Sequence, residues 1–169
     1  MRLTRGKIVI IAIFVGFAAA LAGLVGFTNL EQEEIAPLVD VALADVKMKG
    51  IDKENPTLMI VRVDFTIFNE TKQVLTIAKI DYDIYANEQF VGRGLLSLED
   101  APLTGRAPLF SGTPTTLPSE MQLRQSPEIM HVWDKLKDEN TGDIKWRADG
   151  IAHIETAFSI IEKEFDSTL

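Results

Sequence analysis

The sequence predicts a mainly β protein, in which a β-sandwich of about seven strands with one α-helix follows an N-terminal transmembrane helix. Three observations predict this fold class. An unbroken apolar run extends from Ile8 to Phe27. Beyond it, stretches of alternating apolar and polar residues recur at regular intervals between turn signals, as in sandwich proteins. One stretch, residues 126–137, has helical periodicity instead.

The apolar run is long enough to cross a bilayer, because about 20 residues at a rise of roughly 1.5 Å give a helix of about 30 Å. Ile8, Phe14, Leu21 and Phe27 are the predicted membrane-anchor residues. Three basic residues precede the run and three acidic residues follow it. Since positive charge stays in the cytoplasm, we expect a cytoplasmic tail at 1–7, a single span at 8–28 in the cell membrane, and an extracytoplasmic C-terminal domain.

Two other interpretations of the apolar run stay open. It could be a cleaved secretory signal, although the apolar core of such a signal usually has only about 7–15 residues. It could also belong to a filament subunit, since Arg5-Gly6 before a long apolar helix resembles the class III signal of archaeal type IV pilins and archaellins; Lys7 fits that pattern poorly. Small residues recur at every fourth position, at Ala12, Gly16 and Ala20, as they do on faces where transmembrane helices touch.

Composition restricts the classes of function. The chain has no cysteine, which excludes thiol catalysis, zinc–thiolate sites and disulfides. All 25 acidic residues lie beyond residue 30, against 14 of the 17 Lys and Arg, so the predicted domain carries a net charge of −11. We therefore expect no nucleic-acid partner, because phosphate binding needs clustered positive charge. The lipid bilayer is the one partner that the sequence predicts.

The first half of the domain predicts paired strands. Residues 29–36 form an acidic linker, and residues 37–169 form the domain. The apolar phase of residues 38–48 switches near Ala44 and Asp45, which predicts a bulge. After a turn at Asn55-Pro56, residues 58–68 place apolar side chains on one face of a second strand.

Hairpin signals follow. Residues 74–85 predict a strand, 86–89 its turn, and 90–96 a return strand in which Gly92 and Gly94 indicate a bulge or a close backbone approach. Residues 97–114 should be irregular, and 115–123 should form a strand edged by Pro118.

The last part of the chain predicts the one helix of the domain and the closing strands. Ser126 should cap a helix that ends at Lys137. Residues 144–148 and 151–165 are predicted strands, the second with Phe158 and Ile160 continuing an apolar alternation.

The order of several motifs carries a family resemblance. These are Val-Asp-Phe-Thr-Ile-Phe-Asn at 63–69, Leu-Thr-Ile at 75–77, Ile-Asp-Tyr-Asp-Ile-Tyr at 80–85, Val-Gly-Arg-Gly at 91–94 and Trp-Arg-Ala-Asp-Gly at 146–150. Together they resemble the late embryogenesis abundant (LEA) group 2 proteins, or WHy (water-stress-and-hypersensitive-response) domain, over roughly residues 36–165. Asn69-Glu70 stands where that family usually has Asn-Pro. The resemblance implies an immunoglobulin- or fibronectin-III-like sandwich, no catalysis, and an association with stress and desiccation tolerance; membrane-anchored members have a similar layout.

The sequence predicts no catalytic, cofactor or metal site. His131 and His153 have no second histidine at ligand spacing, and the polar loop at 138–143 departs from a calcium-binding loop in its glycine and in the missing final glutamate. Asn69 begins a sequon in a predicted turn, so we expect it to be reachable for glycosylation.

These features favour a membrane-anchored, non-enzymatic module for stress protection or protein interaction. Its working parts would be acidic strand faces at Asp64, Asp81 and Asp83, together with the irregular connection at 94–118. The alternative is a structural subunit of a pilin-like filament or an accessory subunit of a membrane complex.

Overall fold

Two antiparallel sheets, packed face to face, follow a long N-terminal helix. The computed structural model describes residues 5–98, 106–139 and 141–169; the side chains of residues 5–9, 11, 28, 29 and 31 lie outside the description. Short 3-10 turns occupy Ala36–Leu38 and Pro127–Ile129. The elements are α1 (Arg5–Ile35), β1 (Val39–Ile51), β2 (Leu58–Asn69), β3 (Leu75–Ala86), β4 (Gln89–Ser97), β5 (Pro108–Leu109), β6 (Thr115–Arg124), α2 (Met130–Lys137), β7 (Trp146–Glu155) and β8 (Ile160–Thr168).

The strand order confirms the predicted β-sandwich. One sheet has the order β1-β2-β6 and the other β4-β3-β7-β8, and every described pair is antiparallel. The two-residue strand β5 extends the second sheet by pairing with Leu75 and Thr76, beyond the end of β4. It makes eight described strands where the sequence predicts about seven, because a strand this short leaves no periodicity to detect.

The core lies between the sheets and confirms the predicted alternation. The apolar side chains of β2 at 59, 61, 63, 65 and 67 are all buried, as are those of β3 at 80, 82 and 84. The Phe65 ring meets the Tyr82 ring edge-on at 4.8 Å between centroids and the Phe165 ring at 5.6 Å. Edge-to-face packing of this kind joins the sheets through three different strands.

Helix α2 closes one side of the core, and its start differs from the prediction. Val132, Trp133 and Leu136 are buried, which confirms the apolar stripe. Ser126 does not cap the helix through its side chain; a 3-10 turn intervenes, and the hydroxyl instead hydrogen-bonds Glu128 and lowers the pKa of that carboxyl group.

Predicted backbone irregularities occur where the sequence places them. The β1–β2 register shifts between Leu43 and Asp45. Beside this shift, the Leu43 N–H donates to Ser167 Oγ on β8 at 2.9 Å, which links the two sheets. The β3–β4 register shifts beside Tyr85. Gly94 lies directly over the Tyr82 ring, since a Cβ there would fall 2.1 Å from a ring carbon.

Two predicted boundaries are wrong. The residues predicted as a linker at 29–36 continue helix α1 to Ile35, which is itself buried against the core at 5% exposure. The second closing strand at 151–165 is interrupted by a turn at 156–159, so Phe158 is 79% exposed and does not face the core. Thr156 forms that turn: its N–H donates to the Ser159 carbonyl, and its hydroxyl oxygen accepts the Ser159 N–H at 3.0 Å.

Candidate functional site

The predicted membrane anchor is an apolar helix whose described side chains lie outside the core. One segment among the described residues, Ala12–Leu38, is long and apolar enough to cross a bilayer. Phe14, Leu21 and Phe27 are exposed on it, whereas the side chain of Ile8 lies outside the description. An exposed helix that is apolar on all its faces suits lipid better than water.

The end of α1 is fixed to the sandwich by three contacts. The Gln32 amide pairs with the backbone of Glu162: its Nε2 donates to the carbonyl at 2.6 Å, and its Oε1 accepts the N–H at 2.9 Å. Strand β8 is an edge strand, so this amide satisfies backbone groups that have no neighbouring strand. Ile35 enters the core, and Phe27 meets Phe158 edge-on at 6.1 Å between centroids.

The acidic strand faces do not form one surface. Asp64 lies on the outer face of the three-stranded sheet, and Asp81 and Asp83 lie on the other sheet. Asp64 is not solvated as predicted: it is only 7% exposed and accepts a hydrogen bond from Arg62 Nε at 2.7 Å. A buried carboxylate is stabilised when a cation pairs with it in this way.

On the five-stranded sheet the acidic side chains are paired with basic ones. Asp83 accepts two hydrogen bonds from Arg93, at 2.6 Å and 2.9 Å, which lower the pKa of Asp83. Arg147 lies over the Tyr85 ring at 4.1 Å from its centroid. The same guanidinium is 3.0 Å from Asp149 and 3.1 Å from Asp166. Much of the predicted acidic face is therefore an ion-pair network and not a free anionic surface.

Asn69, the possible glycosylation site, is a buried residue that organises the fold. Its side chain is 0% exposed. Nδ2 donates to the Gln73 and Leu109 carbonyls at 2.8 Å each, and Oδ1 accepts from the Thr71 N–H and hydroxyl at 2.9 Å and 2.7 Å. A glycan on Nδ2 would displace the partners that join the β2–β3 turn to β5.

The histidines are separated. His153 lies between Asp81 and Glu162, with ring nitrogens 3.6 Å and 3.8 Å from their carboxylates. His131 is exposed on α2. Within the described ranges, no group of three or more metal-ligating side chains comes together. The calcium-like loop includes residue 140, which is outside the described residues; Asp143 lies 3.4 Å from Lys135.

Reasoning from the sequence missed the polar contacts at the end of the sandwich nearest α1. Glu155 on β7 accepts hydrogen bonds from the Arg106 guanidinium and, at 3.1 Å, from the Thr76 hydroxyl. The Arg106 bond is the main reason that the pKa of Glu155 is lowered. These contacts have no local signal in the sequence, because each joins residues that are far apart along the chain.

Comparisons with known proteins give similar structures only. No family model and no curated protein matches the sequence. A protein from Archaeoglobus fulgidus is 18% identical with a TM-score of 0.41, covering 76% of this chain and 94% of that one. A protein from Arabidopsis thaliana is 13% identical with a TM-score of 0.43, covering 76% of this chain and 79% of that one. A protein described as a candidate late embryogenesis abundant protein is 12% identical with a TM-score of 0.40, covering 94% of this chain and 88% of that one.

Proposed function

We propose that this protein is a single-pass, membrane-anchored LEA2/WHy-like module that acts by contact, in stress (desiccation) protection or protein interaction, and performs no catalysis. The observation that carries the proposal is the exposed apolar helix that continues without a linker into a β-sandwich. Such an arrangement would hold a folded surface at a fixed position above a membrane.

The residues that carry the family resemblance support the contact role, because they build the sandwich. Asn69 organises a turn, and Tyr82 donates a hydrogen bond to Ser119 Oγ at 2.8 Å across the core. Gly94 and Gly150 permit close approaches that a side chain would block. A motif made of such residues specifies a fold rather than a reaction.

Protection can be tested on vesicles that carry the full chain. A labile enzyme is dried and rehydrated with these vesicles, and we expect more of its activity to survive than with vesicles alone. The matched control is the Asn69→Ala variant at equal loading, which has the same anchor and charge but a weakened sandwich. Equal recovery with protein-bearing and protein-free vesicles would contradict a protective function.

The proposed orientation has its own test, which the absence of native cysteine makes simple. Thr4→Cys and Thr113→Cys are made singly in full-length protein and treated in intact cells with a membrane-impermeant maleimide. We expect labelling at 113, in an exposed loop, and labelling at 4 only after lysis. The reverse pattern would contradict an extracytoplasmic domain.

The native N-terminus separates the anchor from the filament subunit. Mass spectrometry of the protein from native membranes should find residues 1–7 retained. A mature chain that begins at Lys7 would support the filament subunit instead.

A further inference from the structure

Exposed apolar side chains gather at the end of the sandwich where helix α1 enters. Phe158, in the turn between β7 and β8, is 79% exposed. Ile160, Val74 and Phe110 are each more than half exposed. We call these four residues the proximal apolar end.

Strand register places the four residues together at one end of the five-stranded sheet. Thr76 on β3 pairs with Glu155 on β7, and its other neighbour is Pro108 on β5. Val74 lies two residues before Thr76, Phe110 two residues after Pro108, and Phe158 three residues after Glu155. These three residues lie just beyond the ends of their strands, and Ile160 is the first residue of β8, where it pairs with Glu155. All four therefore lie at the same end of the sheet.

The helix fixes how far this end lies from the bilayer. Phe27 belongs to the last turn of the predicted span at 8–28, and its ring contacts the ring of Phe158. Gln32 hydrogen-bonds β8 at an exposed position, and Ile35 is buried in the core. The helix and the sandwich therefore cannot separate without breaking these contacts. When Phe27 lies at the edge of the hydrocarbon region, Phe158 lies at the same depth.

The charges at this end permit contact with lipid. Glu155 lies next to the exposed turn, but its carboxylate is held by Arg106 and Thr76. Glu70 and Lys72 are exposed in the β2–β3 turn, and the long side chain of Lys72 can keep its ammonium group among the lipid headgroups. Since the domain is acidic overall, apolar contact and not attraction to anionic lipid must supply the binding.

We propose that the proximal apolar end inserts into the interfacial region of the lipid bilayer, so that the sandwich rests on the membrane as well as being tethered to it. The occupant is lipid because the four side chains continue the apolar surface of the span itself through the Phe27–Phe158 contact. The inference rests on the proposed anchor and adds a second membrane contact.

Spin labelling of the full-length protein in phosphatidylcholine vesicles tests this contact. Cysteine is introduced singly at Phe158 and, in separate variants, at Phe110 and Phe90, and each is given a nitroxide label. Phe90 is the matched control, because it is also an exposed phenylalanine with an edge-on aromatic neighbour, Tyr85, but it lies beside the β3–β4 turn at the far end of the sheet. Collision with oxygen, which concentrates in lipid, is compared with collision with a water-soluble nickel chelate.

We expect the labels at 158 and 110 to collide more with oxygen than with nickel, and the label at 90 to show the opposite order. Labels at 158 and 110 that collide with nickel as the control does would overturn the inference while leaving the anchor intact, provided that the protein floats with the vesicles. Labels shielded from both reagents would also overturn it, and would indicate a protein contact such as a second copy. Protein that does not float with the vesicles would overturn the anchor and the inference together.

Discussion

Replacing Asn69 by alanine should strongly destabilise the sandwich. The change removes an amide whose nitrogen donates two hydrogen bonds and whose oxygen accepts two, at a fully buried position. The carbonyl of Leu109 would lose its side-chain partner in the core, and the β2–β3 turn would lose the bond that orders Thr71.

The magnitude follows from the four hydrogen bonds. At a net value of about 1 kcal/mol each, they predict a loss of about 4 kcal/mol in the free energy of unfolding. The matched control is Asn55→Ala, because Asn55 accepts from the Thr57 N–H at 3.2 Å and hydroxyl at 2.7 Å in the same local motif. Its bonds are solvent-exposed, so that variant should lose at most about 1 kcal/mol.

The assay is guanidinium unfolding of full-length protein in detergent micelles, followed by tryptophan fluorescence. Both tryptophans, Trp133 and Trp146, are buried in the sandwich, so the signal reports this domain and not helix α1. Production in a host that does not glycosylate removes any contribution from a glycan. Equal losses for the Asn69 and Asn55 variants would refute the structural role assigned to Asn69.

Three further substitutions test other parts of the structure with the same assay. Gly150→Ala puts a Cβ 2.1 Å from a backbone carbonyl oxygen of β3 and should lower the free energy of unfolding by about 3 kcal/mol or more. The control Gly142→Ala adds a Cβ where there is open space, so it should change the stability little. Equal effects would contradict the close approach of β7 to β3. Tyr82→Phe and Ser119→Ala should each lower the free energy of unfolding by about 1–2 kcal/mol. Since both changes remove the same buried hydrogen bond, the double variant should lose less than the sum of the two. Strict additivity would argue against that bond. The pKa of Glu155 is lowered in the folded state, so its carboxylate stabilises the wild type above the usual carboxyl pKa of 4.5, and Glu155→Gln should remove that stability. The difference in stability between the two proteins should shrink as the pH falls below 4.5. A difference independent of pH would count against the Arg106 pair.

Local patterns predicted the sandwich, because each face of a strand is specified by its own residues. On strand β2 the apolar residues at 59, 61, 63, 65 and 67 are all buried, as their alternate spacing predicts. The bulge after Leu43 and the glycine positions of β4 were also visible, since a phase switch and an isolated glycine are local signals.

Features that depend on contacts between distant residues could not be predicted. Residues 29–36 are rich in glutamate and resemble a linker, yet Ile35 enters the core and Gln32 reaches a residue 130 positions away, so tertiary contacts keep this stretch helical. Asp64 occupies a polar strand position as predicted, but its burial arises from neighbouring side chains. The sequon at Asn69 has the composition of a surface turn, whereas the fold uses its amide to tie a turn to β5.

The same distinction applies to the candidate site. The apolar helix was predictable, because a segment that could span a bilayer needs only length and apolarity. The proximal apolar end was not: Phe158 fits the alternation of a closing strand, and only the turn formed by Thr156 brings it to the surface beside Phe27.

The retained anchor is tested most directly by washing native membranes with alkaline carbonate and measuring the intact mass of the protein in the membrane and soluble fractions. The proposed function predicts that the chain stays in the washed membrane fraction and still contains residues 8–28. A chain found in the soluble fraction, or one lacking that segment, would contradict it.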